Sequence, residues 1–272
     1  MSPRGRPPLS QHFLHDRTTA RRIAEALRAP EGARVLEIGP GRGALTEHLL
    51  ERGWCVTAVE LDEELADALE TRWGERAGLE VVRRDVLDFE PDPGSGPWWV
   101  IGNLPYAITS PTIFHVLGWV EPAGIHEIVF MVQREVADRL AAEPGTKAFG
   151  ALSVGVRMEA DVERLFDVRP GSFSPPPDVV SSVVRLVPHE RWDLDAGGKE
   201  RLRTLVRALF STRRKQIQKG LRVAPGLALD REAAGRVEEE TGLDLRRRPE
   251  TLDLEEWVSL ERAVSRVGGF SA

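Results

Sequence analysis

The tetrapeptide Asn103-Leu104-Pro105-Tyr106 combines side chains that could position a nucleobase for reaction at its exocyclic amine. An adenine amine is a weak nucleophile because its lone pair is delocalised into the ring. The Asn103 side-chain oxygen and a backbone carbonyl could hold its two N–H groups and make the nitrogen more tetrahedral. Pro105 stiffens the turn, and the Tyr106 ring could stack on an extruded base. Asn103 and Tyr106 are the only asparagine and tyrosine of the chain, which favours this interpretation over a strand-ending Asn-x-Pro turn.

A glycine-rich turn, Gly39-Pro-Gly41-Arg-Gly43, follows the apolar run 34–38. Glycines let backbone amides approach a ligand closely. The spacing is G-x-G-x-G, whereas dinucleotide enzymes use G-x-G-x-x-G. Glu60 and Asp85 end the next two predicted strands, where carboxylates could bind ribose hydroxyls and an adenine amine. Either acid alone could be an ordinary loop residue, but together with the turn they favour S-adenosylmethionine as the cofactor.

Alternating strand and helix patterns position these motifs. Strands are predicted at 34–38, 54–60, 79–83, 98–102 and 127–133, and helices at 45–50, 63–72, 110–117 and 134–142. Ser110 is the expected N-cap of the third helix, with Pro111 at its first position. Such alternation is typical of an α/β fold in which helices cover both faces of a parallel sheet.

Two further strands are predicted at 152–158 and 179–188, on either side of the stiff segment Phe173-Ser-Pro-Pro-Pro177. Phe173 could close the second face of a bound base, but it could equally be a buried core residue.

Helix and turn patterns follow Pro188, which predicts two domains, residues 1–187 and 188–272. Residues 199–222 contain nine Lys/Arg and one acid, whereas the whole chain has a net charge of −6. Such an excess of basic over acidic residues indicates a phosphate-binding segment rather than a solvated helix face, on which charges of both signs are usually mixed. The predicted RNA contacts are Arg207, Arg213, Arg214, Lys215 and Lys219, with Leu209 and Phe210 facing inward. Alternatively, these cations pair with acids of the first domain.

Composition excludes several classes of protein. No apolar run of about 18 residues is present, so no membrane span is predicted. The N-terminus resembles no signal peptide. Cys55 is the only cysteine, which excludes an internal disulfide and a cysteine-rich zinc site. We therefore expect a metal-free cytoplasmic protein without a membrane partner. A monomer is also expected.

The motifs resemble those of the KsgA/RsmA family of ribosomal RNA adenine dimethyltransferases along nearly the full chain. The matching segments are 11–16, 35–41, 59–62, 103–106, 133–140, 173–177, 182–186, 210–215 and 248–256. The segments 173–177 and 210–215 are the most specific to this family, because many amine methyltransferases share the glycine turn and the Asn-x-Pro-Tyr motif.

The resemblance implies a Rossmann-like class I methyltransferase sheet with a small C-terminal helical domain. It implies dimethylation of two adjacent adenosines near the 3′ end of small-subunit (16S) rRNA, in the immature 30S subunit during ribosome biogenesis. With the glycine turn, it implies S-adenosylmethionine contacts at His12, Leu14, Gly39, Gly41, Glu60, Asp85 and Asn103. His12, Ala107 and Phe149 depart from residues common in the family.

Two alternatives to this function remain. A large-subunit rRNA adenine methyltransferase of the macrolide-resistance type would share the catalytic motif. A largely non-catalytic ribosome assembly factor would not need that motif, which is intact here.

Overall fold

The computed structural model describes residues 12–76, 78–227 and 229–270. Gln11, the first residue of the matching segments, lies outside them. Within the described chain, no helix is both long and apolar enough to cross a membrane.

Contacts along the chain define two compact units. The first comprises residues 1–137 and 160–188, and the second comprises 138–159 and 189–272. The predicted boundary at 187/188 placed the segment 138–159 in the first domain, whereas its contacts place it in the second unit.

A seven-stranded sheet forms the centre of the first unit. In spatial order its strands are β4 (Leu79–Arg83), β3 (Cys55–Glu60), β2 (Arg34–Ile38), β5 (Trp98–Asn103), β6 (Ile125–Gln133), β9 (Ser181–Pro188) and β7 (Ala160–Val168). The first five strands run parallel, and β9 is antiparallel to both of its neighbours. The six predicted strands of this unit are confirmed. Five of them are largely buried apolar runs, as expected for strands covered on both faces, whereas the edge strand β4 has no buried residue.

Helices cover this sheet, and a second, two-stranded sheet lies beside it. The helices are α1 (Arg17–Ala26), α2 (Ala44–Glu51), α3 (Glu63–Trp73), α4 (Thr109–Leu117) and α5 (Arg134–Leu140), which continues into the second unit. The small sheet pairs β1 (Phe13–Leu14) with β8 (Phe173–Ser174).

The helices of the first unit begin at side-chain caps or tight turns. Asp16 and Asp62 accept backbone N–H bonds at the starts of α1 and α3, as N-cap residues do. The predicted start of α4 was wrong by two residues, since the helix begins at Thr109 rather than Pro111, and Ser110 lies inside its first turn. Pro111 is tolerated there because the first N–H groups of a helix have no intrahelical partner.

Helices and turns build the second unit. They are α6 (Ala151–Arg157), α7 (Ala196–Ser211), α8 (Ile217–Val223), α9 (Arg231–Thr241) and α10 (Leu254–Arg266). The strand predicted at 152–158 was wrong: this stretch forms α6, in which Leu152 to Val156 are all buried. Its Val154 and Met158 pack in the same core as Leu205 and Trp257, which places 138–159 with the C-terminal helices.

Candidate active site

A cavity of about 520 Å³ opens at the carboxyl edge of the large sheet. It lies where the strand order reverses, between β2 and β5, the position at which open α/β sheets bind ligands. Every predicted cofactor contact and the whole of the predicted catalytic tetrapeptide line it. These residues are His12, Leu14, Gly39, Gly41, Glu60, Asp85, Asn103, Leu104, Pro105 and Tyr106.

The turn between β2 and α2 can only be built from glycine at two positions. Gly41 has a φ of +57°, and a Cβ there would lie 3.2 Å from the Phe13 ring. Gly43 has a φ of +77°, and a Cβ there would lie 2.3 Å from Trp73. Because L side chains rarely adopt such backbone angles, glycine keeps this wall of the cavity close to the α2 N-terminus.

Glu60 ends β3 with both oxygens fixed. Its Oε2 accepts a hydrogen bond from the Gly41 N–H at 3.0 Å, and its Oε1 accepts one from the Asp62 N–H at 3.0 Å. Each carboxylate oxygen has a second acceptor position, so ribose hydroxyls could bind the same group. At the end of the neighbouring strand, Asp85 Oδ1 accepts from the Leu87 N–H at 3.1 Å.

Glu37 is a carboxylic acid that the sequence-based reasoning did not place in the site. It lines the cavity and is only 1% exposed. Burial raises its pKa to about 8, the Thr46 hydroxyl bond opposes that rise, and the nearby Glu60 charge adds to it. Thr46 donates to Oε2 at 2.7 Å, while Oε1 has no hydrogen-bond partner among the described residues. An unpartnered acceptor in the wall fits the ammonium group of S-adenosylmethionine, which carries N–H donors.

Asn103, the last residue of β5, has a defined amide orientation. Its Nδ2 donates to the His12 carbonyl at 3.3 Å, which leaves Oδ1 as an acceptor in a residue that lines the cavity. The Leu104 N–H donates to Met131 O at 3.1 Å. The Pro105 carbonyl accepts from the Ile108 N–H at 3.1 Å and from the Thr109 hydroxyl at 3.2 Å, so the turn after Asn103 is held on both sides.

Tyr106 presents a partly exposed ring beside Asn103. Its hydroxyl lies 3.0 Å from Ser181 Oγ. Its ring centroid lies 5.8 Å from that of His12, a separation typical of interacting aromatic rings. The ring is therefore held at its tip and flanked on one side.

Residues 12–14 cross one side of the cavity. The His12 Nδ1–H donates to Pro175 O at 2.9 Å, and Leu14 pairs with Phe173 in the small sheet. Phe173 is 3% exposed and packs in the core. This position agrees with the core alternative for Phe173, because a buried ring has no open face for a base.

The basic residues of the second unit differ in their surroundings. Arg214, Lys215 and Lys219 are exposed. Arg207 pairs with Glu200 at 3.1 Å, and Arg213 donates to Lys147 O at 3.0 Å. The inward direction of two apolar residues is confirmed: Leu209 is fully buried, and the Phe210 ring stacks on Trp257 with centroids 5.7 Å apart.

Sequence reasoning missed three contributors to the site. Phe13 packs against Gly41, and the Arg42 guanidinium lies over the Phe13 ring, 4.4 Å from the ring centroid. Ser181 holds Tyr106. Glu37 had a visible signal, because it is an acid inside the otherwise apolar end of the run 34–38.

The reversed strand order, the glycine turn and the polar residues at successive strand ends define a class I S-adenosylmethionine-dependent methyltransferase. Comparison with known sequences identifies the family within this class. The family described as ribosomal RNA adenine dimethylase matches residues 3–260, and the chain belongs to that family. It is therefore an S-adenosylmethionine-dependent enzyme that methylates adenine in ribosomal RNA.

One relative and two solved structures illustrate the similarity. The ribosomal RNA small subunit methyltransferase A of Geobacter metallireducens is 40% identical over 271 residues, 98% of each chain. A dimethyladenosine transferase from Plasmodium falciparum superposes with a TM-score of 0.78 at 24% identity, over 95% of this chain and 99% of that one. The 23S rRNA methyltransferase ErmE superposes with a TM-score of 0.69 at 29% identity, over 93% and 99%.

Proposed function

We propose that this protein dimethylates the N6 amines of two adjacent adenosines near the 3′ end of small-subunit rRNA during ribosome assembly. The observation that carries the proposal is the amide of Asn103. Its Nδ2 is used by the His12 carbonyl, so its oxygen is the atom left to accept a bond from an adenine amine. The 40% identity to a small subunit methyltransferase supports the choice of substrate.

The second acceptor for the amine is the Leu104 carbonyl. The neighbouring Pro105 carbonyl already accepts two hydrogen bonds within the turn. Two acceptors on the two N–H groups draw the amine away from planarity and return its lone pair to the nitrogen. Tyr106 provides the ring on which the base stacks, an interaction worth about 1–3 kcal/mol.

S-adenosylmethionine supplies a methyl group on a sulfonium, which leaves as a neutral thioether. As the N–C bond forms and the S–C bond breaks, the amine nitrogen becomes acidic and its proton passes to water. No strong base is needed, because the amine is neutral when it attacks. The contribution of the chain is therefore positioning and charge placement.

RNA binding is assigned to the second unit. Arg214, Lys215 and Lys219, helped by Arg207 and Arg213, would contact phosphates of the immature 30S subunit. Phosphate contacts supply affinity and fix position without reading base identity. In this proposal the protein acts as a cytoplasmic monomer.

Asn103→Ala tests the proposed chemistry. We expect methyl transfer to unmethylated small-subunit particles to fall about 100-fold or more, the loss seen when a single stabilising group is removed from an active site. Isothermal calorimetry should show that S-adenosylmethionine still binds, with a loss of no more than about one hydrogen bond for the missing Asn103 contact, because Glu60 and the glycine turn are intact. Near-normal turnover by Asn103→Ala would refute the role of this amide.

A further inference from the structure

Ser181 is a buried polar residue at the catalytic edge of the sheet. It is the first residue of β9 and is 1% exposed. Because β9 runs antiparallel to β6, its beginning lies where β5 and β6 end. The strand register shows this directly. Ser181 pairs with Gln133 of β6, and Asn103 pairs with Met131, two residues earlier on the same strand.

The Ser181 hydroxyl reaches the tip of Tyr106. The two oxygens lie 3.0 Å apart, and either can donate. A phenol ring attached through two single bonds can otherwise rotate and tilt, and its flank contacts only the His12 ring among the aromatic pairs of the described residues. A hydrogen bond at the hydroxyl fixes the end of the ring farthest from the backbone.

We propose that Ser181 is a positioning residue that holds the Tyr106 ring in the orientation on which the target adenine stacks. The inference rests on the proposed function, since it assumes a base on that ring. Ser181 touches no reacting atom in this account and acts through Tyr106.

The adjacent serine offers a matched control. Successive side chains of a strand point to opposite faces, and Ser182 donates to Asp167 at 2.6 Å rather than to the site. Ser181→Ala and Ser182→Ala each remove one buried hydroxyl from β9, and Ser182→Ala should cost at least as much stability because its bond is to a carboxylate. Only Ser181→Ala should affect Tyr106.

The first experiment uses the fact that Tyr106 is the only tyrosine. Protein labelled with ring ¹³C-tyrosine gives NMR signals from this ring alone. In Ser181→Ala we expect the Cζ resonance to move and the ring carbons to relax as a more mobile ring, whereas Ser182→Ala should match the original protein. If the tyrosine signals of Ser181→Ala also match the original, the proposal is overturned.

The second experiment is a double-mutant cycle on the methyl-transfer rate, measured in a single turnover at saturating cofactor. Ser181→Ala and Tyr106→Phe remove the same hydrogen bond from opposite ends, and the phenylalanine leaves the buried strand untouched. Each should slow transfer about 3- to 10-fold, the equivalent of one hydrogen bond. The double variant should be no slower than the slower single one.

Losses that multiply in the double variant would overturn the coupling between the two residues. Both singles should keep their S-adenosylmethionine affinity, so a shared loss of cofactor binding would equally contradict it. If the original protein transferred no methyl group to RNA, the proposed function would fail, whereas the NMR comparison would still decide whether Ser181 holds the ring.

Discussion

At the scale of single residues, Glu37 shows how burial sets the charge of the cavity wall. Its pKa is raised to about 8, above the value near 4.5 of the unfolded chain, so the folded protein holds a proton there at neutral pH. The stability associated with that proton is fully present below about pH 4.5 and is lost as the pH rises through about 8. The substitution Glu37→Gln keeps nearly the size and shape of the protonated carboxyl group, and it removes the group that titrates.

We expect Glu37→Gln to be increasingly more stable than the original protein as the pH rises from 5 to 9. The difference in the free energy of unfolding should reach up to roughly 4 kcal/mol, because one pKa unit corresponds to about 1.4 kcal/mol. Urea unfolding at several pH values measures it. Glu31→Gln is the control, since Glu31 is exposed. Parallel pH curves for Glu37→Gln and the original protein would show that Glu37 does not titrate in this range.

At the scale of secondary structure, a buried ion pair joins the end of α1 to the sheet. Arg185 on β9 and Glu127 on β6 lie 3.4 Å apart and are both nearly buried. Arg185 also donates to Ala26 O at 2.6 Å, and Glu127 accepts from the Arg28 N–H at 2.7 Å. These bonds fix the helix that follows residues 12–14 of the cavity wall.

Arg185 also donates to Glu163 at 2.6 Å, so it keeps an acidic partner when Glu127 is removed. Glu127→Ala should therefore lower the free energy of unfolding by about 1–3 kcal/mol, because the Arg28 N–H loses its acceptor and Arg185 loses one of two carboxylates. Glu25→Ala breaks the exposed pair between Glu25 and Arg21, and it should cost less than about 1 kcal/mol. Chemical denaturation of both variants makes the comparison. Equal losses would mean that the buried pair contributes no more than the exposed one.

The parallel strands were predictable because each is a short apolar run that ends at a turn or polar residue. The site residues were predictable for the same reason, since the carboxyl ends of parallel strands meet at one edge. The strand β7 was missed because a bulge between Arg164 and Phe166 breaks its alternation. The helix α6 was read as a strand because it is apolar on all sides, and a short apolar run does not distinguish the two.

Contacts between distant segments could not be predicted. The bond from Asn103 to His12 spans 91 residues, and that from Tyr106 to Ser181 spans 75. Neither leaves a periodic signal in the sequence, because each depends on how strands are ordered and where a loop returns. The family resemblance led to the prediction that His12 is a cofactor contact, but not to its carbonyl as the partner of Asn103.

At the scale of the whole molecule, the protein has a net negative charge, but the exposed basic residues proposed to bind RNA lie close together in the sequence. Replacing Arg214, Lys215 and Lys219 with alanine should flatten the slope of log K against log salt for 30S binding by roughly 2–3 units, at about 0.7–0.9 per contact. Replacing Arg231, Arg236 and Arg246, exposed cations elsewhere in the second unit, removes equal charge and should leave the slope unchanged.

The alternative role for the three cations, pairing with acids of the first domain, predicts the opposite pattern. The triple variant would then lose thermal stability and keep its salt slope. Measuring the melting temperature and the slope on the same preparation separates the two roles, and an unchanged slope would exclude docking on phosphates.

The most direct test of the central claim is where the methyl groups appear. Purified protein is incubated with S-adenosylmethionine and unmethylated small and large ribosomal subunits, and the rRNA is digested and analysed by mass spectrometry. We predict N6,N6-dimethyladenosine at two adjacent positions near the 3′ end of the small-subunit rRNA, formed about 100-fold more slowly or worse by Asn103→Ala. Dimethyladenosine in the large-subunit rRNA instead, or particles that are bound but not methylated, would contradict the account.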